Sequence, residues 1–190
     1  IAFTSAEYSK SRSTILMNIA YNLDKAGESV MIVDADFRTP SILHEFEIKT
    51  DNQYNLADLI KGISKELEEK GEFNWKYLSL FIQKVRGTYN LHILANNTSV
   101  ADPYEYIYSS SFKFLINKLK ENYDWVLIDT PPIMAVPDTI TISSYCDGVV
   151  LLTGFDTRKS IIKVINKIFK EHYINIIGFI TRELKTKEAV

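Results

Sequence analysis

Residues 4–14 read TSAEYSKSRST and lie between an apolar strand pattern and a helical pattern. In many α/β proteins this place holds a loop of the form G-x-x-x-x-G-K-[ST], whose backbone N–H groups surround phosphates and whose lysine neutralises them. Here Ala6 and Ser11 occupy the two glycine positions, and Arg12 occupies the lysine position. Only the Ser-Thr pair that follows keeps the pattern. The loop therefore predicts a phosphate-binding framework whose phosphate chemistry has changed.

The altered loop still supplies the candidate cofactor-binding residues. They are Ser9, Lys10, Ser11, Arg12, Ser13 and Thr14. Side chains at Ala6 and Ser11 add Cβ atoms where glycine would let the backbone approach a phosphate. The sequence leaves two outcomes open: strained residues at about 1–3 kcal/mol each, or a relaxed loop whose N–H groups no longer converge. Arg12 keeps the positive charge, but its planar guanidinium differs in shape from a lysine ammonium.

Composition indicates a globular chain. Of its 190 residues 46% are hydrophobic, which is enough for one substantial core. We expect a single domain over residues 1–190, cut from a longer chain because IAFTS at its start already reads as a strand. A net charge of −2 disfavours nucleic acid as a partner. The single cysteine, Cys146, excludes an internal disulfide and is expected to be buried. No apolar run approaches the roughly 20 residues that span a bilayer.

Short apolar runs alternate with helical patterns, which is typical of parallel strands joined by crossover helices. The predicted buried strands are Val30–Asp34, Trp125–Asp129, Val149–Thr153 and Ile174–Ile180. Each is too continuously apolar to face water on one side. The expected fold is therefore α/β, P-loop NTPase-like, with a mostly parallel central sheet and helices on both faces.

Apolar residues at helical spacing predict three helices. The first covers Ser13–Lys25 and ends at Gly27, and two others lie around residues 112–119 and 161–169. Residues 52–90 are less regular: NLADLI reads as a helix, SKELEEKGE as a solvated helix face or loop, and LSLFIQKV as a strand. Tyr173, the last tyrosine, falls within a predicted core element.

Carboxylates follow two of the predicted strands. Asp34 and Asp36 lie in VDADFRTP after the second strand, and Asp129 lies in LIDTPP after another. An aspartate that closes a buried strand next to a Ser/Thr loop can hold Mg²⁺, and Ser13 would supply the hydroxyl. One such aspartate is as often a cap for the next turn. Two strand ends, a second aspartate and a Ser-Thr pair together favour a nucleotide site.

With these motifs in hand, the chain resembles the cytoplasmic domain of bacterial tyrosine kinases, the BY-kinases of capsule and exopolysaccharide synthesis. VDADFRTP is the most specific match, and WVLIDTPPIMAVPD, YNLHILAN, CDGVVLLT and INIIGFIT also occur in the family's order. The resemblance implies that Asp34 assists the metal and activates the attacking tyrosine hydroxyl. It also implies that Asp36 supports Mg²⁺ with Ser13, that Asp129 is the Walker B carboxylate, and that Arg38 belongs to the VDADFRTP motif.

The resemblance further implies ATP and Mg²⁺ as cofactors where the site works. It implies a membrane-anchored polysaccharide chain-length regulator as partner, in the same or a separate chain, and a place in the cytoplasm at the inner face of the plasma membrane. Assembly into a homo-oligomer is open. Partitioning and division-site ATPases share the expected fold, but they carry a second lysine early in the loop, where Glu7 stands here.

Several residues depart from the family pattern. Tyr8 and Ser9 replace the usual proline and glycine, and Thr181 and Arg182 stand where an asparagine commonly reads adenine. Three hypotheses remain. The first is a regulatory pseudokinase with weakened or lost ATP binding. The second is an active ATP-dependent tyrosine autokinase. The third is a non-catalytic scaffold that docks on the membrane-anchored regulator.

Overall fold

The computed structural model describes residues 1–8, 11–48, 55–155 and 157–182. The strands are β1 Ala2–Ser5, β2 Val30–Asp34, β3 Gln83–Lys84, β4 Leu91–Leu94, β5 Trp125–Asp129, β6 Val149–Gly154 and β7 Ile176–Arg182. The helices are α1 Ser11–Lys25, α2 Ile42–Glu45, α3 Leu56–Lys70, α4 Pro103–Ile107, α5 Ser110–Asn122, α6 Asp138–Ser144 and α7 Lys159–Glu171, with a 3-10 helix at Trp75–Leu80.

The described strands form one sheet in the order β3-β4-β2-β5-β1-β6-β7. Every neighbouring pair is parallel except β3 and β4, which are antiparallel. Because parallel strands need crossover connections, the helices cover both faces of the sheet. The predicted α/β fold with a mostly parallel sheet is confirmed.

Alternate residues of the central strands enter different cores, which explains why these strands read as continuous apolar runs. In β2, Val30 and Ile32 pack in the core that includes Leu16 of α1. Met31 and Val33 pack in the opposite core, with residues of α3 and α5. Burial of each such side chain stabilises the fold by about 1.5–3 kcal/mol, so the sheet is held from both sides.

Local signals fix several helix ends. Helix α1 ends before Gly27, whose φ of 96° suits glycine. Helix α3 begins with a capping box, in which the Asn55 side chain accepts from the Asp58 N–H and Asp58 accepts from the Asn55 N–H. It ends at Gly71, with φ of 74°. The charged run SKELEEK is the second half of this helix, as expected for a solvated face.

Four sequence expectations are wrong or partly wrong. The strand predicted at Ile174–Ile180 is not buried on both faces, because β7 is an edge strand in which Ile177 and Phe179 are 48% and 55% exposed. Most of LSLFIQKV is not a strand, because a 3-10 helix ends at Leu80 and β3 has two residues. Tyr173 is 97% exposed with φ of 56°, because it follows the end of α7 rather than joining the core. Cys146 is half-buried rather than buried. In the described part of the chain, none of the helices is both long enough and apolar enough to cross a membrane.

Strand register brings the predicted carboxylates together. Asp34 at the end of β2 pairs directly with Asp129 at the end of β5. Phe3 of β1 pairs with Asp129 from the other side, so the loop after β1 begins at the same edge of the sheet. In parallel sheets this carboxyl edge is where ligands bind.

Candidate functional site

The candidate site is a buried polar cluster at the carboxyl edge of β1, β2 and β5. Its carboxylates are Asp34, Asp36 and Asp129, which we call the acidic cluster, and none is more than 2% exposed. Arg12, from the first turn of α1, is 4% exposed and is the cation among them. Charged side chains are rarely buried unless paired, so this concentration marks the site.

The Arg12 guanidinium points into the acidic cluster. Its Nε donates to Asp129 Oδ1, and its Nη2 lies 3.4 Å from Asp129 Oδ2. The same Nη2 lies 3.5 Å from Asp36 Oδ2. A planar fork can span two carboxylates in this way, whereas a lysine ammonium is a single point charge. Arg12 therefore bridges two of the residues that the sequence assigns to metal binding.

Ser13 also contacts Asp129, from the next position of α1. Its Oγ donates to Asp129 Oδ2 at 2.9 Å and lies 3.2 Å from Ser41 Oγ. Both oxygens of Asp129 thus accept hydrogen bonds from α1. The predicted hydroxyl and the predicted carboxylate are brought together by the sheet register and the start of the helix.

The Asp34 carboxylate accepts hydrogen bonds from backbone N–H groups. Its Oδ1 accepts from the Asp36 N–H at 3.2 Å, and its Oδ2 accepts from the Ser41 and Ile42 N–H groups at 3.0 and 3.2 Å. These last two donors open α2, so Asp34 caps that short helix and holds residues 34–42 in place. Asp34 is also fully buried, and both of its oxygens are used.

Asp36 and Arg38 fasten the same loop at two further points. Asp36 accepts from the Thr39 N–H at 3.0 Å and from Thr39 Oγ1 at 3.1 Å. Arg38 donates through Nε to Asp138 Oδ2 at 2.9 Å, which joins this loop to the start of α6. Asp138 is 1% exposed, so its carboxylate depends on this partner. Asp138 was not predicted from the sequence, although VPD before a helical pattern was a visible signal.

One carbonyl oxygen positions the loop after Asp129. Pro131 O accepts hydrogen bonds from the hydroxyls of Thr4, Thr130 and Thr139, at 2.9, 3.2 and 2.6 Å. These hydroxyls come from β1, from the residue after β5 and from α6. They were not predicted either, because nothing along the chain marks a threonine that acts through a distant carbonyl.

The pKa values follow from burial and from neighbouring charges. Burial, followed by the charge of Asp129, raises the pKa of Asp34 to about 8, against the opposing effect of its backbone donors. Burial also raises the pKa of Asp129, against the charge and hydrogen bonds of Arg12. Burial opposes the charge on Arg12, but the charge and hydrogen bond of Asp129, together with the charges of Asp36 and Asp34, outweigh it and raise the pKa of Arg12. Burial therefore favours the protonated form of Asp34, and the surrounding carboxylates favour the charged form of Arg12.

The remaining loop candidates are placed as follows. Ser9 and Lys10 lie outside the described residues. Ser11 is buried at the start of α1, and Thr14 is exposed on its first turn. Ala6 does not have a positive φ, and Ser11 is the first residue of helix α1. The strain that a positive φ would impose on a residue other than glycine is therefore not present at Ala6.

The acidic cluster does not fit Mg²⁺ in the present arrangement. Each of its carboxylate oxygens already accepts at least one hydrogen bond from protein, and Ser13 Oγ is used by Asp129 and Ser41. Among the described residues, no group of three or more His, Cys, Asp and Glu side chains is arranged to hold a metal ion. The Arg12 guanidinium instead pairs with both Asp36 and Asp129.

A family model described as an AAA domain matches residues 1–175. The chain belongs to this AAA-domain family. Named relatives of the chain also confirm the resemblance to bacterial tyrosine kinases. The chain is 28% identical over 179 residues to tyrosine-protein kinase ptk of Acinetobacter johnsonii, and the match covers 94% of this chain and 22% of ptk. It is 26% identical over 154 residues to tyrosine-protein kinase CpsD of Streptococcus pneumoniae serotype 4, covering 81% of this chain and 62% of CpsD.

Solved structures agree with these relatives. The kinase domain of VpsO superposes with a TM-score of 0.81 at 27% identity, covering 97% of this chain and 84% of that one. A ParA family ATPase from Chlorobium tepidum superposes with a TM-score of 0.69 at 16% identity, covering 99% and 75%, and shows the shared fold alone. The AAA-domain chain spans about a fifth of ptk and about three fifths of CpsD.

Proposed function

We propose that this chain is the BY-kinase-like domain of a capsule or exopolysaccharide system, where it controls polymer length or export as a regulatory pseudokinase with weakened or lost ATP binding. The single observation that carries the proposal is the Arg12 guanidinium bound to Asp129 and Asp36. It acts in the cytoplasm at the inner face of the plasma membrane, beside a membrane-anchored chain-length regulator. Where ATP binds, Mg²⁺ would accompany it.

Charge supports this proposal. Phosphoryl transfer depends on positive groups that neutralise the developing charge on the phosphate. Arg12 stands at the position that supplies this charge, and two carboxylates already neutralise it. A phosphate would have to compete with Asp129 for the same guanidinium. We therefore expect nucleotide affinity to fall by about 2–3 kcal/mol, or roughly 30- to 150-fold, relative to a loop with a free cation.

Asp34 supports the proposal independently. A general base must come within hydrogen-bond reach of the proton that it removes. Here Asp34 is fully buried, and its oxygens accept three backbone N–H groups. Burial raises its pKa to about 8, which favours the protonated form over the carboxylate that would accept a proton. In this arrangement Asp34 serves as an anchor for residues 34–42 rather than as a base for a tyrosine hydroxyl.

Calorimetry with Mg-ATP tests the proposal. The wild-type domain is compared with Ser11→Gly/Arg12→Lys, which restores two positions of the phosphate-loop pattern. We expect no measurable heat for the wild type at micromolar ATP, and binding at least about tenfold tighter for the double variant. Arg86→Lys, a substitution in the exposed turn before β4, is the control for an arginine-to-lysine exchange away from the site. Wild-type binding in the low micromolar range would end the pseudokinase proposal.

A second candidate, an active tyrosine autokinase, is favoured by a specific observation. Asp34, Asp36, Asp129 and Ser13 all lie together at the carboxyl edge of the sheet. In that case binding of ATP and the partner would rearrange Arg12 and free the carboxylates. The full-length protein would then carry phosphotyrosine when ATP and the membrane partner are present, and Asp34→Asn would abolish it. Mass spectrometry that finds no modified tyrosine under those conditions excludes this candidate.

A further inference from the structure

We infer that Arg12 is the resident cation of the acidic cluster and that it determines the cation specificity of the site by excluding divalent metal. The inference rests on the proposed function only in taking Asp36 and Asp129 as the carboxylates that would otherwise hold Mg²⁺. It adds a property that the family resemblance does not supply, because the resemblance implies a metal at these residues.

Geometry is the first support. The guanidinium bonds Asp129 through Nε and Nη2 and reaches Asp36 through Nη2. Arg12 is 4% exposed, so its head group lies inside the protein rather than at a solvent edge where it could move aside freely. A cation that entered between Asp36 and Asp129 would have to displace this group.

Charge balance is the second support. Within the described part of the chain, Arg12 provides the ion pairs of both Asp36 and Asp129. The nearby Arg38 is held by Asp138 and pairs with neither. Without Arg12 the site would contain buried carboxylates with no fixed cation, which is strongly unfavourable. Carboxylate and hydroxyl oxygens are the ligands that Mg²⁺ and Mn²⁺ prefer.

A single substitution, Arg12→Ala, should therefore convert the acidic cluster into a metal-binding site. Arg12→Ala removes the cation and leaves room beside Asp36, Asp129 and Ser13. The variant then becomes a protein whose stability depends on divalent metal, whereas the wild type does not respond to metal. Mass action sets the size of the effect. At a metal concentration of about 100 times the dissociation constant, the variant's Tm rises by roughly 5–10 °C for a domain of this size.

Thermal unfolding with MgCl₂ or MnCl₂ titrated against EDTA tests this inference on the wild type, Arg12→Ala and the double variant Arg12→Ala/Asp129→Asn. We expect a metal-dependent rise in Tm for the single variant alone. The double variant lacks the carboxylate and should not respond. If Arg12→Ala does not fold without metal, the yield of folded protein on refolding with and without MnCl₂ gives the same comparison.

Two results would overturn the inference. One is an equal metal response in the wild type, since Arg12 would then exclude nothing. The other is a folded Arg12→Ala protein with no metal response, since no metal site would then lie beneath the guanidinium. These outcomes are separate from the calorimetry with Mg-ATP. Wild-type ATP binding without a metal response would end the pseudokinase proposal and leave Arg12 as the resident cation.

Discussion

Replacement of Asp34 by asparagine should change how the stability of this domain depends on pH. The ordinary pKa of 3.8 applies to Asp34 in the unfolded chain, and burial raises its pKa to about 8 in the folded protein. Between these values the folded state binds one more proton than the unfolded state. The free energy of unfolding therefore decreases as pH rises, by about 1.4 kcal/mol per pH unit from this group.

The expected magnitude is large enough to measure. From about pH 5 to about pH 7 the wild type loses roughly 3 kcal/mol through Asp34. An asparagine side chain is uncharged at every pH, so Asp34→Asn lacks this slope. Its amide oxygen can still accept from the Ser41 and Ile42 N–H groups, while the bond from the Asp36 N–H is lost. That loss costs about 1 kcal/mol and does not vary with pH.

Urea unfolding at several pH values between about 5 and about 8 provides the assay, because the difference between the two profiles isolates Asp34. Asp124→Asn is the matched control. Asp124 is exposed, and hydrogen bonds from Ser29 lower its pKa, so its contribution to stability is lost only in more acidic solution. The control should keep the wild-type slope. Parallel profiles for wild type and Asp34→Asn across this window would refute the reasoning about burial.

Other substitutions test separate parts of the fold. Phe37→Ala should lower the free energy of unfolding by about 3–5 kcal/mol, because Phe37 is 1% exposed and packs on Tyr106 with ring centroids 5.6 Å apart; a loss below about 1 kcal/mol in urea unfolding would contradict this packing. Arg38→Ala should cost about 1.5–3 kcal/mol, since it leaves the buried Asp138 carboxylate without its donor, and an unchanged urea midpoint would disprove that dependence. Cys146 is half-buried, and desolvation of its thiol raises its pKa to about 11, so under about 1% is thiolate at pH 8 and the native protein should react with a thiol reagent far more slowly than the unfolded chain; equal rates would contradict this effect of desolvation.

The sequence predicted the elements whose signals are local or periodic. Helix α1 and the strands β2, β5 and β6 follow from apolar spacing and from a glycine stop. The weaker stretch between residues 52 and 90 was predicted less well. LSLFIQKV has the composition of a strand, but its first residues form the end of a 3-10 helix, and Phe81 and Ile82 pack against the core beside α3. Tertiary packing outweighed local propensity there.

In the candidate site, too, the features with local sequence signals were predicted and the long-range contacts were not. VDADFRTP and LIDTPP, at the ends of two apolar runs, were sufficient to predict that carboxylates meet at one edge of a sheet. The changed loop residues were equally visible in the sequence. The contact between Arg38 and Asp138 and the hydrogen bond from the Thr4 hydroxyl to the Pro131 carbonyl join residues far apart in the chain. No local pattern encodes such pairs.

The chain by itself determined the alternation of strands and helices, because residue spacing reports which side chains can be buried. It also determined which side chain replaces the lysine of the loop. Only the folded structure decided where the Arg12 guanidinium goes. A long side chain in a loop can meet solvent, a phosphate or a carboxylate. Here the register of β2 against β5 brings the loop after Asp34 next to Asp129, and the buried carboxylates of Asp36 and Asp129 require a cation.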